Sequence, residues 1–575
     1  MNIKKFVEKW LDSLSDINPQ LFREVKGRLK TRNVAIAAAI SLVSQIILVG
    51  TYGSQLPNSL NTYYSHYYCL ETYREINSGY VCLTDTSGQV LINWDLWWLD
   101  IFLWLSFAAV FALFVAGTYM LISDLAKEEK NGTLNFIRVS PRSTQTILLG
   151  KLFGVPILLY LGVLLAIPLH TWAGLSAQIP LGLIIGFDIA VIAGCIFFYS
   201  LAMLFGLTTA YLGGFQTWLG SGLVFGCLAF TSVELEREST PVFYAPMDWL
   251  NLFNPAILLP NLVAKNLASL QPAEHYFNYG NLSSWQWFYW PLGASAIAIF
   301  CLMVVNYCLW TYAIWQGLSR RFPNPTATII SKRQSYNLVA LFQLAMLGFA
   351  LQEGQPYEYS EFIRAFSENL GYILLLNLLL FIGLIAALSP HRQTVQDWAR
   401  YSHRNSFKSL WQDLVWGEKS PAIVAIALNA IFAAGLLVPW ILLWPNETIK
   451  TAALGNLLLF ISSITIYAVI AQLMLLMKTQ KRGIWAASIV ETLTVLPLMV
   501  FVLFSLEPDD QPFLWLFSAF YWAATEHISF NYVLLAFVGQ FAILGGLTLV
   551  LKRRVNHLGQ SATQALLKPV KLPTI

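Results

Sequence analysis

Long runs of apolar residues alternate with short polar segments along the chain. A helix that crosses a bilayer needs about 20 apolar residues, because the hydrocarbon core is about 30 Å thick and each residue rises about 1.5 Å. Twelve such runs occur, at Val34–Tyr52, Leu99–Ser123, Leu152–Trp172, Pro180–Leu204, Leu212–Ser232, Trp290–Leu309, Tyr336–Leu351, Leu370–Leu388, Ala422–Leu443, Ala452–Met477, Trp485–Phe504 and Tyr532–Leu551. The pattern therefore predicts an all-α, polytopic membrane protein.

The composition agrees with this prediction. Apolar residues make up 57% of the 575 residues and charged residues 11%, whereas soluble domains have about 45–50% and about 25%. This disfavours a soluble enzyme, and a net charge of +4 does not indicate nucleic-acid binding. The expected first partner is the lipid bilayer. Because the first apolar run begins only at Val34, we expect that span to act as its own insertion signal.

The distribution of charge predicts the orientation of the twelve spans. The twelve predicted spans divide the polar segments between the two sides of the membrane. The segments on the same side as the N-terminus contain 30 of the 35 Lys and Arg residues. The opposite loops contain 18 of the 31 acidic residues. Since cytoplasmic loops accumulate Lys and Arg, both termini are predicted to be cytoplasmic.

The polar segment 124–151, after the second predicted span, contains several helix-boundary signals. Asn131-Gly132 can end the second helix, and Thr133 can cap a short amphipathic helix that bears Leu134, Phe136 and Ile137. Ser140-Pro141 can cap the next helix, with proline at its first position. Such a short helix either docks in a cleft of another protein or rests on lipid headgroups.

This segment carries a resemblance to a known family. Glu128, Gly132-Thr133-Leu134, Ser140-Pro141 and Gly150-Lys151 resemble the "E…GTL…SP…GK" signature between the second and third helices of ABC-2 type exporter permeases. The resemblance implies a coupling helix that engages a separate ATPase subunit. The residues that it implicates in coupling are Glu128, Gly132, Thr133, Leu134, Phe136, Ser140, Pro141 and Arg142.

The resemblance also suggests how the chain is divided. Residues 1–33 look like the family's amphipathic elbow region, and residues 34–318 look like its six-helix unit, with a loop at 233–288 that contains Asn254-Pro255. ATP and Mg²⁺ are expected on the partner ATPase, because this chain lacks the G-x-x-x-x-G-K-[ST] phosphate loop. The family reading implies export across the bacterial cytoplasmic (inner) membrane.

Residues 319–575 form a second membrane part that can be compared with the first. Leu410–Leu414 can be aligned with Leu21–Val25, and Lys481–Gly483 with Lys130–Gly132, but the Thr-Leu and Ser-Pro elements are missing from the second part. One interpretation is a degenerate repeat that makes the chain a fused pseudo-dimer. The other is a chain that pairs with a second permease chain or with itself.

Three carboxylates lie within predicted spans, where ionisable side chains are costly and often functional. Asp188 and Glu491 are candidates for a transport path, although each could equally be neutral and hydrogen-bonded between helices. Asp100 and His170 lie near the ends of their spans, where an interfacial position explains them.

Metal and redox sites have little support. The seven histidines (His66, His170, His275, His391, His403, His527 and His557) are scattered and form no His-x-x-x-His pair, so no metal site is predicted. Four of the six cysteines lie in apolar runs. Cys69 and Cys82 share a polar loop, where they either form a disulfide, stay unpaired or contact another subunit. Glu234–Glu238 is expected to be a solvated acidic face.

Two other function classes stay open. An ion-coupled secondary transporter would use Asp188 or Glu491, would need no ATPase partner and would be stopped by an uncoupler. An integral membrane enzyme that acts on lipid-linked substrates would turn over alone, but the sequence offers it no catalytic cluster.

Overall fold

The structure is a computed structural model that describes residues 15–57, 67–70, 72–75, 79–86, 88–236, 246–264, 282, 285–351, 359–402 and 407–560. The all-α polytopic class is confirmed, because ten helices in these residues are long and apolar enough to cross a membrane. They are Thr31–Ser54, Trp94–Lys130, Ile157–Ser176, Leu181–Thr208, Ala296–Arg321, Ala365–Leu388, Ile423–Leu442, Glu447–Leu475, Arg482–Leu503 and Phe530–Gly559.

Each of these ten helices coincides with one of the twelve predicted spans. The fifth and seventh predicted spans are also helical, at Phe215–Glu236 and Lys332–Ala350, but these two helices are not among the ten. The helix of the seventh predicted span begins with two basic residues, Lys332 and Arg333. The count of twelve therefore stays a prediction.

The chain forms two compact units. The first contains residues 1–243, 250–285 and 291–323, and the second contains 244–249, 286–290 and 324–575. The main division, between Pro323 and Asn324, is close to the boundary that the sequence placed after residue 318.

The first unit begins with two helices before the strands. We label its helices α1 (Pro19–Arg28), α2 (Thr31–Ser54), α3 (Trp94–Phe111), α4 (Gly117–Lys130), α5 (Thr133–Arg138), α6 (Thr144–Gly154), α7 (Ile157–Ser176), α8 (Leu181–Thr208), α9 (Phe215–Glu236), α10 (Leu259–Ala264) and α11 (Ala296–Arg321). Helix α8 lies at the centre of the packing, against α4 and α11, while α7 packs against α2 and α3. Helix α1, within the predicted elbow region, packs against α6.

Helices α3 and α4 form one continuous span through a five-residue π-helix, Ala112–Ala116. In a π-helix the backbone shifts from the ordinary hydrogen-bond register. The Tyr199 hydroxyl on α8 donates to the carbonyl oxygen of Leu113 at 2.8 Å. This side chain therefore satisfies a backbone acceptor within the irregular turn.

Short irregular elements occur in the loops between the helices. Strands β1 (Thr72–Glu75) and β2 (Gly79–Cys82) pair antiparallel, with Thr72 opposite Cys82. Before α10, the segment around Asn254-Pro255 forms the 3-10 helices Pro246–Phe253 and Pro255–Leu258. The Asn254 side chain accepts from the backbone N–H of Ala256 and so caps the second of them.

The second unit is also built from helices. They are α12 (Lys332–Ala350), α13 (Tyr359–Leu388), α14 (Arg392–Ser402), α15 (Phe407–Trp416), α16 (Ile423–Leu442), α17 (Glu447–Leu475), α18 (Arg482–Leu503), α19 (Pro512–Trp515) and α20 (Phe530–Gly559). Helix α17 packs against α16, α18, α20 and α13. Near the division of the units lie the two-residue strands β3 (Gln286–Trp287) and β4 (Trp290–Pro291).

The first membrane part and residues 319–575, which were compared by sequence as a possible repeat, share one structural feature and differ in another. Leu410–Leu414 lies on α15, a short helix before the span α16, as Leu21–Val25 lies on α1 before α2. After α17, however, the chain turns directly into α18 at Arg482, so this turn contains no short helix like α5. The degenerate repeat stays a prediction.

Candidate functional site

Helix α5 follows a tight reversal at the end of the second span. Gly132 adopts a φ of +72°, in the left-handed region that glycine tolerates. The backbone N–H of Gly132 donates to the Glu129 carbonyl at 3.0 Å. The chain can therefore leave α4 at Lys130 and begin α5 at Thr133.

Both caps predicted for this segment are wrong in detail. Thr133 is the first residue of α5 and Gly132 occupies the N-cap position, because the Thr133 hydroxyl instead donates to the Glu128 carbonyl at 3.2 Å. Ser143, rather than Ser140, caps the next helix, and its hydroxyl accepts from the backbone N–H of Thr146. Pro141 accordingly lies in the turn before α6.

The six residues of α5 present two different faces. The side chains of Leu134 and Ile137 are buried, with residue exposures of 1% and 7%, and fix α5 to the chain. Phe136 is 80% exposed, and so is Val139, which follows the helix. Ser140 is half-buried, whereas Pro141 and Arg142 are exposed. We call Phe136 and Val139 the apolar tip.

A network of charged side chains lies beside α5 and joins α1, α4 and α6. At its centre is Lys151, whose side chain has no exposed surface. Its ammonium nitrogen lies 2.7 Å from Asp124 Oδ2, 2.7 Å from Glu128 Oε2 and 3.6 Å from Glu24 Oε1. We call this arrangement, together with the two arginines described next, the charge network.

Two arginines of α1 complete the charge network. Arg23 lies 2.6 Å from Glu128 Oε1, and Arg28 lies 2.6 Å from Asp124 Oδ1. Arg28 also lies 3.3 Å from Glu24 Oε2. Each carboxylate that contacts Lys151 therefore has an arginine partner too, and three cations balance three carboxylates. The side chain of Glu128 is only 13% exposed, so its carboxylate is engaged within this chain.

Two glycines allow α1 to approach α6 closely enough for these contacts. A Cβ atom on Gly150 would lie 2.8 Å from Gln20 Cβ, and one on Gly154 would lie 2.6 Å from Glu24 Cβ. The same two helices are joined by a hydrogen bond, because the side-chain amide of Asn18, the N-cap of α1, donates to the Thr146 carbonyl on α6 at 2.8 Å. The glycine of the Gly150-Lys151 pair thus brings α1 to the lysine.

The environment of Lys151 favours its charged form. Burial lowers the pKa of this amine, but attraction to Asp124, Glu128 and Glu24 outweighs burial, and the pKa is raised above its usual value. The pKa of Arg23 is also raised, since Glu128 and Glu24 outweigh the cost of burial.

The charge network contains the donor type that a divalent cation would use. The carboxylate oxygens of Glu24, Asp124 and Glu128 lie within 4.8 Å of one another. The Lys151 ammonium already lies among them, however, and contacts all three. The arrangement is that of an ion-pair network that fixes three helices together.

A second polar group lies within the spans and contains Asp188. His170 on α7 is buried, and its Nε2 atom lies 2.9 Å from the Ser106 hydroxyl on α3. Its Nδ1 atom lies 3.8 Å from Asp188 Oδ1 on α8. The His170 ring also stacks on Phe102. His170 was expected to be interfacial, but it is buried, hydrogen-bonded to Ser106 and close to Asp188.

The other predicted residues have separate surroundings. Glu491 is exposed on α18, and no interaction of its side chain is found within the described part of the chain. Asp100 is buried and accepts a hydrogen bond from the Tyr68 hydroxyl, so it is more enclosed than an interfacial position implies. Cys69 and Cys82 form a disulfide beside Tyr68. The side chains of Glu234–Glu238 lie outside the described residues.

Sequence reasoning missed Lys332 in the second unit. Its buried ammonium lies 2.7 Å from the Leu414 carbonyl and 2.7 Å from the Ser420 hydroxyl. The Leu414 carbonyl belongs to the last turn of α15, where cations are favoured. Burial lowers the pKa of Lys332 to about 8, although Asp413 acts in the opposite direction. One buried lysine therefore stabilises the position of α15.

Comparison of the chain with protein-family models, with curated proteins and with solved structures finds no match in any of the three.

Proposed function

We propose that this chain is the membrane-embedded permease of an ATP-driven exporter of the ABC-2 type. The observation that carries the proposal is the shape of α5, whose buried Leu134 and Ile137 hold it to the chain while Phe136 and Val139 are exposed. An apolar tip of this kind suits a cleft in a partner subunit. In this proposal the partner is an ATPase that binds ATP and Mg²⁺.

The charge network gives the proposal a mechanical basis. Helix α5 follows α4 directly, and α4 contributes Asp124 and Glu128 to the contacts with Lys151. A displacement of α5 by the partner would therefore move α1, α4 and α6 together, because the ion pairs between them are short and largely buried. Movement of the first, second and third spans would follow, since these helices adjoin them.

The charge distribution orients the molecule. We place the basic segments, and with them both termini and α5, on the cytoplasmic side of a bacterial inner membrane. The partner ATPase would then have access to its nucleotide. The second unit would either supply the second half of a pseudo-dimer or leave the first unit to pair with another permease chain.

The decisive experiment is affinity purification of the tagged chain in mild detergent from cells that express its genomic neighbours. We expect a stoichiometric partner whose sequence contains a Walker-type phosphate loop. Phe136→Asp should release this partner, whereas Gln145→Asp, which places the same charge on an exposed residue outside the coupling set, tests whether the loss is specific to the apolar tip. Gly132→Pro should also release it, because proline cannot adopt a φ of +72°. Purification of the chain alone would contradict the proposal.

Ion-coupled secondary transport is a second candidate, supported by the Ser106–His170–Asp188 group. These three side chains belong to three different membrane helices, and such intramembrane groups often bind protons or ions. Transport by proteoliposomes that contain the chain alone, abolished by an uncoupler and by Asp188→Asn, would favour this candidate. Transport that needs ATP and the partner would exclude it.

A further inference from the structure

Arg138, the last residue of α5, is a buried cation. Its side chain is only 8% exposed. The guanidinium carbon lies 5.9 Å from the centre of the Phe322 ring, and Phe322 follows Arg321, the last residue of α11. Arg138 therefore lies between the end of α5 and the end of a membrane-crossing helix.

The guanidinium of Arg138 has unused hydrogen-bonding capacity. Its Nη1 atom donates to Asn135 Oδ1 at 2.8 Å and lies 3.6 Å from Glu129 Oε2. Its Nε atom is buried and has no acceptor among the described residues. A buried donor without a partner is costly, which points to an acceptor outside the described residues, such as a bound anion.

The charges around Arg138 also favour an anion. Arg321 directly precedes Phe322, whose ring lies 5.9 Å from the Arg138 guanidinium carbon, so two cations meet at the ends of α5 and α11. Glu129 is a weak counterion, because it is 3.6 Å away and its side chain is 40% exposed. An anion between the two arginines would relieve their repulsion and accept from the buried Nε atom.

The place of Arg321 at the end of a helix long and apolar enough to cross a membrane points to the kind of anion. Helix α11, Ala296–Arg321, is long and apolar enough to cross a bilayer, so Arg321 lies where that helix leaves the hydrocarbon core. Lipid phosphates lie at this level, and basic pockets beside membrane helices bind anionic headgroups. Arginine also recognises phosphate through paired N–H donors.

We propose that Arg138 and Arg321 form a binding site for the phosphate of an anionic phospholipid. The bound headgroup would bridge the end of α5 to the end of α11. Helix α5 would thereby be anchored to the membrane surface through its last residue. This inference requires the chain to lie in a membrane, but it does not depend on the proposed ATPase partner.

The experiment measures lipid binding by the full-length chain in a neutral detergent. Thermal unfolding is followed while phosphatidylglycerol or phosphatidylcholine is titrated into the micelles. We expect phosphatidylglycerol to stabilise the chain more, and Arg138→Gln to weaken its apparent affinity about fivefold, the effect of one basic side chain near an anionic surface. Lys130→Gln is the matched control, since Lys130 is an exposed cation on the same segment and lies outside the coupling residues, and it should weaken binding less than Arg138→Gln.

Glu129→Gln separates lipid binding from a purely structural ion pair. If Glu129 is only a structural counterion of Arg138, Glu129→Gln should lower the unfolding temperature in lipid-free micelles. Phosphatidylglycerol should then stabilise this variant as much as the parent chain, or less. If Glu129 competes with lipid phosphate, phosphatidylglycerol should bind more tightly to Glu129→Gln than to the parent chain. This second result is expected, and the first would overturn the proposal. The test also remains decisive if Arg138→Gln fails to fold.

Titration with sodium phosphate at constant ionic strength separates a lipid headgroup from free phosphate. A lipid site should respond weakly to phosphate and strongly to phosphatidylglycerol. Equal stabilisation by both, lost in Arg138→Gln, would show a site for soluble phosphate and would overturn the lipid assignment. Equal stabilisation by phosphatidylglycerol in the parent chain and in Arg138→Gln would overturn the site itself.

Discussion

The ammonium nitrogen of Lys151 lies 2.7 Å from Glu128 Oε2, and the lysine side chain has no exposed surface. This contact joins the start of the third predicted span to the end of the second. The same ammonium contacts Asp124 and Glu24. One buried cation thus connects three helices that meet beside α5.

Replacement of Lys151 by methionine should destabilise the chain by about 3 kcal/mol, because removal of one partner from a buried ion pair leaves uncompensated charge. We expect a value at the low end of such effects, since Arg28 and Arg23 still pair with Asp124 and Glu128. Denaturant unfolding in detergent measures the change. Lys127→Met on α4 is the control, because Lys127 is exposed.

We also predict how the destabilisation by Lys151→Met depends on pH. The pKa of Lys151 is raised in the folded chain, so its stabilisation is fully present below the unfolded pKa of about 10.5 and disappears as the pH rises through the folded pKa. The difference between Lys151→Met and the parent chain should therefore be constant from about pH 6 to pH 9. A loss that fades within this range would contradict the ion-pair role.

Gly150→Ala should destabilise the chain by about 1–3 kcal/mol, the cost of overpacking. The added methyl group would lie 2.8 Å from both Gln20 Cβ and the Leu21 backbone nitrogen, so α1 would have to move away from α6. Gly162→Ala on α7 is the control, since a Cβ there meets no atom within 4 Å. Equal thermal stability of the two variants would mean that α1 does not pack closely on α6.

The sequence predicted the helices well because their signal is local. Each apolar run is continuous, so its length and hydropathy alone identify a membrane-crossing helix. The turn at Gly132 was likewise predicted from adjacent residues. The cap at Ser143 was assigned to Ser140 instead, because both serines are reasonable caps and only the tertiary structure selects between them.

The charge network could not be predicted in the same way. Glu128 and Lys151 were singled out by a family resemblance, but their partner helix is distant in sequence, since Arg23 and Glu128 are 105 positions apart. Ser106 and His170 are separated by 64 residues. Contacts of this kind depend on which helices become neighbours, and the apolar pattern of a membrane helix does not encode that choice. Lys332 contacts mainly backbone carbonyls, which leave no signal in the sequence.

The two faces of α5 should respond differently to truncation. Leu134→Ala should destabilise the chain by about 2–5 kcal/mol, since it removes a buried side chain. Phe136→Ala should change stability by less than about 0.5 kcal/mol, because the side chain is 80% exposed. Thermal unfolding of the purified chain provides both values. A large loss for Phe136→Ala would mean that the apolar tip packs within the protein and is not available to a partner.

The contribution of Lys332 to stability should rise with alkaline pH, whereas that of Lys151 should fall. Its pKa is lowered to about 8 by burial, below the unfolded value of about 10.5. Between these two values the unfolded chain binds more protons than the folded chain, so the contribution of this group to stability rises with pH over that window. Below about pH 8 the amine is charged in both states, and its contribution is constant.

Lys332→Met should therefore remove a rise in stability between about pH 8 and pH 10. Unfolding temperatures of the parent chain and the variant, measured at half-unit steps of pH, give the difference directly. Arg333→Met is the matched control, because Arg333 is the next residue, is exposed and keeps its charge over this range. If the parent chain and Lys332→Met respond identically to pH, the ammonium is fully stabilised by the α15 carbonyls and its burial does not disfavour the charged form.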